Sequence, residues 1–433
     1  MPTSDHAREL IAALRARFGA DAVSDDTAAF TIAGGAPACV VRPLQIEQVG
    51  ELLAFATKRD WAVIPVGNAT HLRVGAPPAQ YDIALSLQRL ARIVAHEAAD
   101  MTVTVEAGVT LGALNTALAQ ARQWLPLDPP LAEQVTIGGL IAADLNGPLR
   151  LSQGKVRDLL IGITVVLADG SIAKAGGRVV KNVAGYDLGK LFAGSFGTLG
   201  VIVEATFKIR PCPEQTRVLW ITTYDDQDAA ELALTLLDAK LAPLFVEVLN
   251  TTAAAACGQT SGGIALALGG IAEELDAQQT VIVDYCGRSA RVCDDREAAQ
   301  LTHWLREFPR QAAATLTARI SLLPTELAGL LPRLTPEAVA RGLEAAVVTH
   351  AGNGVARLHL RGDEGQALLF IEWLRIAVRA RGGWVVFDSL PVGLHGQVEP
   401  FGYRTAALTL MEGIKRQLDP RGTLSPGRFV GGI

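Results

Sequence analysis

The sequence predicts an α+β fold in two large parts, and two observations carry that expectation. Apolar residues make up 49% of the 433 positions and charged residues only 19%, a balance that demands a substantial interior and excludes a disordered chain. Short apolar strand patterns alternate with helical ones as far as Pro211 and Pro213, and beyond Thr216 the pattern changes to longer helical stretches between strands. At about 150 residues per domain, the length fits two or three units.

The elements follow in order. Leu10, Ile11, Leu14 and Phe18 make an amphipathic helix in a leading segment, 1–38. Cys39 to Val41, a helical stretch Ile46 to Lys58, and Trp61 to Ile64 form a strand-helix-strand unit that opens the first domain, 39–213. Ile83 to Leu87, Ile93 to His96 and Met101 to Ala107 read as strands, Leu111 to Ala121 as a helix, and Ile137 to Leu145 as a short helix behind Gly138-Gly139. Leu159 to Leu167, the turn Asp169-Gly170 and Ser171 to Lys174 read as a hairpin; Asp187 to Phe192 is a short helix and Gly200 to Ile209 a strand. In the second domain, 214–403, helices are expected over Asp226 to Lys240, Ala298 to Phe308 and Gln366 to Ala380, with strands at Leu244 to Val248, Gly354 to Leu360 and Trp384 to Phe387. Thr251 to Ala256 and Gln311 to Thr317, rich in alanine and threonine, are expected to be flexible connections. The final segment, 404–433, is a helix with Leu408, Met411, Ile414 and Leu418 on one stripe, followed by a compact tail from Leu424 to Phe429.

Composition also narrows the partners. A net charge of −5 and an aromatic content of 5% offer neither a basic footprint nor a stacking platform for nucleic acid. The longest apolar runs, such as Leu159 to Ala168, are strand-sized, so no membrane span is expected. Asp5, Arg8 and Glu9 interrupt the place where a secretory signal needs an apolar run, so a cytoplasmic protein is expected, with peripheral membrane attachment only through partners. Five scattered cysteines without a Cys-x-x-Cys pair suggest neither disulfides nor a cluster.

Chemistry starts at the glycines. In Pro65-Val66-Gly67-Asn68-Ala69-Thr70-His71, small residues follow a strand, and consecutive backbone N–H groups there can turn inward to form an anion cradle. A tight surface turn explains the same residues equally well. No Walker lysine is present, and the Gly194/Gly197/Gly200 series precedes a strand, the reverse of a dinucleotide fingerprint.

Taken in order, Pro65 to Thr70, Val105 to Gly108, Asp128-Pro129-Pro130, Thr136 to Gly139, Val156-Arg157-Asp158, Val180 to Asp187 and Gly194 to Ile202 resemble the FAD-binding domain of the p-cresol methylhydroxylase (PCMH) and vanillyl-alcohol oxidase superfamily. Within it, Gly177 to Leu188 and Leu418 to Phe429 are similar to the E-type FAD-binding subunit of bacterial glycolate oxidases. The resemblance implies a two-part PCMH-type domain, an α+β cap domain with an antiparallel sheet, and a C-terminal tail returning to the FAD domain. It implies that Val66 to His71 wrap the FAD pyrophosphate and that Pro129, Thr136, Gly138, Gly139 and Ala142 lie along the cofactor stem. It places Val201 and Ile202 near the adenine, while Arg157 and Asp158 either touch the cofactor or brace its loops. His71 is separated from Gly67 by three residues, unlike the histidines that carry covalent flavin in the superfamily, so non-covalent FAD is expected. The implied partners are a catalytic flavoprotein subunit and an iron-sulfur subunit, and the implied substrate is a small 2-hydroxy acid, glycolate.

Oxidising such an acid needs a base for the hydroxyl proton and a cation for the carboxylate. The catalytic relatives carry His-x-Gly-Asp-Gly-Asn-x-His, a metal-binding pair. Here His350-Ala-Gly-Asn-Gly-Val-Ala-Arg357-Leu-His359 has asparagine for the aspartate and its second histidine two positions late, so no metal is expected. Positions seven or nine apart on one strand face opposite sides, so any pairing must run through a loop. His350, Arg357 and His395, the last in Gly393-Leu-His-Gly396, are the candidate catalytic residues. Phe196 stands where those relatives commonly have glutamate. Three readings stay open: a FAD-carrying subunit whose partner oxidises glycolate, a self-sufficient dehydrogenase for D-lactate or a similar acid, or a structural subunit with a vestigial pocket.

Overall fold

The computed structural model describes residues 4–178, 186–286, 290–310, 314–402 and 406–433. The Val180 to Asp187 motif therefore lies largely outside the described residues.

Three sheets organise the chain. The first has the order Val23–Ser24, Cys39–Val41, Ile83–Ser86, Val63–Val66, and its last three strands are parallel. Its strands are apolar on both sides because both faces are covered. Leu10 and Leu14 of the leading helix pack with Val49, Leu52 and Leu53 of the helix Ile46–Thr57 on one face, while Ile64 and Val66 look the other way. The strand Val63–Val66 thus delivers the following loop to the sheet's C-terminal edge, where ligands bind in parallel α/β arrangements.

The second sheet is antiparallel, ordered Ile93–Glu97, Thr102–Glu106, Val201–Lys208, Leu160–Val166, Ile172–Gly176. The helices Leu111–Ala119 and Ile137–Ala142 pack on it through Leu111, Leu114, Leu140 and Ile141. The third is an eight-stranded antiparallel sheet whose central strands are Pro243–Leu249, Glu344–His350, Val355–Arg361 and Leu316–Ser321. Four helices, Asp226–Asp238, Ala272–Cys286, Pro324–Val339 and Glu364–Arg379, cover one face through two apolar clusters. The other face, with Phe245, Leu249 and Val348 packed under the helix Asp295–Glu307, looks toward the first domain.

Two expectations fail. Thr251–Ala256 is a helix and not a flexible connection: Asn250 caps it by accepting from the Ala253 amide, and Ala253 and Ala254 are fully buried. Thr317 belongs to an interior strand of the eight-stranded sheet, where Leu316 and Thr317 pair with Leu360 and His359; 311–313 lie outside the described residues. In both places neighbouring elements decided what alanine and threonine propensity leaves open.

The tail returns to the first sheet. Leu424 bridges Val63 in parallel, with Val63 N donating to Thr423 O and Ser425 N to Val63 O. Lys415, in the helix Ala407–Leu418, is buried and donates to Asp419, Thr198 O and Leu424 O, fixing helix, tail and the 195–200 turn together. No helix among the described residues is long and apolar enough to cross a membrane.

Candidate active site

A cleft opens beyond the strand Val63–Val66. Val66, Gly67, Asn68, Ala69, Thr70 and His71 form one wall, and Thr136, Gly138, Gly139 and Ala142 face them from the helix Ile137–Ala142 and its cap. Ile202 and Phe196 line it as well. Four sequence-predicted residues do not. Pro129 is buried outside it, Val201 is fully buried in the sheet core, and Arg157 and Asp158 are exposed, with Asp158 accepting from the Lys155 amide.

Close approach explains the small residues. A Cβ on Gly67 would lie 2.0 Å from Thr136 Oγ1, and one on Gly138 would lie 2.9 Å from the Ala107 methyl. Thr136 needs that space, because its Oγ1 caps the helix by accepting from Gly139 N. Ala69 has φ 57°, and no backbone hydrogen bond within the described residues uses the Gly67 to Thr70 amides. Those donors are left for an anion. Asn68 pins the loop by donating to Gln134 O at 2.7 Å and accepting from Gln88. Arg428, buried, donates to Leu72, Val74 and Ala76 carbonyls and so ties the tail to the loop.

His71 Nδ1 lies 2.9 Å from Thr70 Oγ1, while its buried Nε2 has no partner. Burial first, then the charges of Arg310 and Arg357, push its pKa down to about 4, so the imidazole is neutral at pH 7. Arg310 reaches across from the second domain to donate to Thr70 O at 2.6 Å. Phe196, at φ 55°, meets Phe401 and Phe429 at ring distances of 5.6 Å, an aromatic junction beside the cleft.

The face of the eight-stranded sheet that is turned toward the first domain carries a polar row. His350 ends one strand and Arg357 lies on the next; the hairpin between them sets both on one face, with Val348 opposite Arg357 and His350 opposite Val355. Glu247 pairs across from His350, and its Oε1 is 2.7 Å from His350 Nδ1. Arg357 Nε is 3.4 Å from His350 Nε2, and Arg357 Nη2 donates to Asn146 O in the first domain at 3.2 Å. Arg357 is lowered to about 10 by burial, with Asp388 opposing. His359, two residues on, stacks on Phe308 at 4.1 Å, and burial brings it down to about 4.

His395 is elsewhere, which corrects its expected place beside the other two. Its Nε2 faces Leu390 O at 3.2 Å, and its neighbours Leu394 and Val398 pack into the cluster on the helix-covered face. The sheet therefore separates it from His350 and Arg357. Glu247, Asn146, Arg310, Arg319 and Asp388 are residues of this region that the motifs do not reveal, whereas Arg428 lies in the quoted C-terminal motif. Glu247 and Arg319 did leave a signal: each is a lone charge within an apolar strand. Among the described residues no cluster of histidine, cysteine and carboxylates is arranged to hold a metal.

Comparison with known families agrees with this layout. Residues 37–176 match the FAD binding domain and residues 212–383 the C-terminal domain of FAD-linked oxidases. The chain is a two-domain FAD-dependent oxidoreductase with a PCMH-type FAD-binding fold. The glycolate oxidase subunit GlcD of Bacillus subtilis is 28% identical over 421 residues, covering 91% of this chain and 89% of that protein. A D-lactate dehydrogenase of Archaeoglobus fulgidus is 28% identical over 408 residues, covering 90% and 91%. The subunit GlcE of Escherichia coli is 34% identical over 169 residues, but these cover only 39% of this chain and 47% of that protein. The E-type resemblance is thus confined to part of the chain, and the full length is shared with D-type subunits and dehydrogenases. In fold, p-cresol methylhydroxylase superposes with a TM-score of 0.77 at 18% identity over 98% of this chain and 97% of that one.

The cleft fits FAD: free loop amides suit its phosphates, and the glycine wall leaves room for its stem.

Proposed function

We propose that the chain oxidises a 2-hydroxy acid to the 2-oxo acid, with FAD bound non-covalently and the electrons passed on to an iron-sulfur partner subunit. The observation that carries this reading is the Glu247–His350–Arg357 row, which Arg357 ties to Asn146 of the cofactor-binding domain. Its relatives named as glycolate oxidase subunits and D-lactate dehydrogenases support it.

Bound FAD supplies the hydride acceptor for C2 of the acid. The chain's own groups do the rest. Glu247 accepts a hydrogen bond from His350 Nδ1–H, which fixes the tautomer whose Nε2 carries the lone pair, on the side of Arg357. Arg357 binds the carboxylate, and its position next to Nε2 places the 2-hydroxyl within reach of the imidazole. As the hydroxyl proton moves to Nε2, the cation formed is stabilised by the Glu247 charge, the role of a buried carboxylate behind a histidine base. Phe308, fully buried beneath His359, keeps water from this wall.

A second reading, a FAD-carrying subunit whose partner does the oxidation, is favoured by the local GlcE likeness and by Phe196 in place of the usual glutamate. One titration separates them. The holoprotein is mixed anaerobically with glycolate, D-lactate or D-2-hydroxyglutarate and its visible flavin absorbance followed. Bleaching of the isolated chain by one of the acids is expected; bleaching only after partner subunits are added supports the second reading and overturns the first.

A further inference from the structure

We propose that Arg310 of the second domain is a positioning residue for FAD: by holding the Thr70 carbonyl it orients the 67–71 loop for the cofactor's pyrophosphate, so that the second domain completes a phosphate site built mainly by the first. This requires only FAD in the cleft and stands apart from the proposed oxidation.

The corner that carries Arg310 is fixed from below. The helix Asp295–Glu307 runs into the turn Phe308–Arg310, where Phe308 is fully buried, stacked on His359 at 4.1 Å and packed beside Trp304 at 5.2 Å. Pro309 fixes one more backbone angle of the turn. On either side of this anchor a charged residue reaches the first domain. Glu307 accepts from Leu131 N with both carboxylate oxygens, at 2.9 and 3.1 Å, and Arg310 Nη1 donates to Thr70 O at 2.6 Å. The two recipients are themselves joined: Asn68 donates to Gln134 O, in a turn closed by Leu131 O accepting from Gln134 N and Val135 N. That turn leads directly into Thr136 on the opposite wall of the cleft. One corner of the second domain therefore holds both walls.

The contact with Thr70 bears on the phosphate donors. The Thr70 carbonyl and the His71 N–H belong to one planar trans peptide, in which the two bonds point in opposite directions. With the oxygen on Arg310, the N–H is turned away from the second domain, and the guanidinium charge polarises the peptide and strengthens that donor. No backbone hydrogen bond among the described residues uses the His71 N–H. Ala69, at φ 57°, supplies the reversal by which consecutive amides converge on an anion. The loop itself carries no lysine or arginine from Gly67 to Leu72. Arg310 is exposed and, among the described residues, has no carboxylate at ion-pair distance, so its charge stands behind the loop uncompensated. A bound pyrophosphate supplies the opposite charge.

The test measures FAD binding to the FAD-free full-length chain by fluorescence quenching, without substrate, in the natural protein, Arg310→Lys and Arg310→Met. Titrations are run at about 0.1 M and about 1 M salt, between which the screening length falls from about 10 Å to about 3 Å. Arg310 is exposed, so its replacement leaves the fold in place. Arg310→Met is expected to weaken FAD by about tenfold at the lower salt, with partial recovery in Arg310→Lys and a smaller gap at the higher salt. The two phosphorus NMR resonances of bound FAD should move in Arg310→Met while the visible flavin spectrum stays the same, because the change lies at the phosphates. Equal FAD affinity in the natural protein and Arg310→Met overturns the assignment. So does a loss that is the same at both salts and leaves the phosphorus resonances in place, the mark of a contact that only packs the domains together. If FAD binding responds as expected and no 2-hydroxy acid reduces the flavin, the role of Arg310 stands and the oxidation reading falls.

Discussion

Glu247 and His350 face each other across neighbouring antiparallel strands, with 2.7 Å between carboxylate Oε1 and imidazole Nδ1. Both are buried, and Glu247 Oε2 has no further partner. A carboxylate kept there only for stability would be poorly placed, since an incompletely bonded buried charge is destabilising.

Replacing Glu247 by Gln keeps the shape and removes the charge. The rate of flavin reduction by the preferred acid should fall by about 10²- to 10⁴-fold, the usual contribution of an oriented general base. The FAD content of the purified protein should be unchanged. Parallel loss of FAD would instead make Glu247 a structural residue.

Gly67 and Thr136 should behave as a coupled pair. Gly67→Ala puts a methyl 2.0 Å from Thr136 Oγ1 and 2.9 Å from its Cγ2, so the loop must shift and FAD affinity should drop by about tenfold or more. Removing two of the three obstructing atoms, Oγ1 and Cγ2, in Gly67→Ala/Thr136→Ala should restore part of the affinity, although Thr136→Ala alone loses a helix cap worth about 1 kcal/mol. Fluorimetric FAD titration of the three variants reads this, and additive losses would contradict it.

His359 predicts an acid limit to stability. Its pKa is about 4 in the folded protein against about 6.5 in an unfolded chain. Between those values the unfolded state binds a proton that the native state refuses, so the native state is at full strength above pH 6.5 and loses stability as pH falls toward 4. His71, also brought down to about 4, acts in the same direction. His359→Phe keeps a ring against Phe308 and should show a smaller fall in denaturation midpoint between pH 7 and pH 4. An identical slope would contradict the assignment.

Lys415 pins the tail. Lys415→Met leaves Asp419 buried at 2% exposure without its cation and strands the Thr198 and Leu424 carbonyls. Stability should fall by about 3–5 kcal/mol, seen as a large drop in Tm. FAD should also bind more weakly, because the same tail carries Arg428 to the 72–76 carbonyls.

The cofactor half of the molecule was readable from the sequence because its function is carried by backbone. Small residues are required wherever main chain approaches main chain or ligand, and Gly67, Gly138 and Gly139 sit in contiguous motifs. The second half is built differently. Glu247, Arg319, His350, Arg357 and Asp388 come from separate strands, and strand order rather than spacing brings them together. His350 and Arg357 could be named because a single hairpin joins them. His395 resembled a motif over a few residues, but the loop carrying it folds onto the helix side of the sheet. Thr251–Ala256 looked like a linker until the Asn250 cap and the packing of its alanines made it a helix.

The central claim is that His350, in the Glu247–His350–Arg357 row of the eight-stranded sheet, does chemistry at the bound flavin. The most direct measurement is stopped-flow reduction of the flavin by the preferred 2-hydroxy acid in FAD-loaded natural protein and in His350→Asn of matched FAD content. The account predicts reduction in the natural protein and a rate at least about 100-fold lower in the variant. Equal rates in the two proteins, with equal FAD, would contradict it.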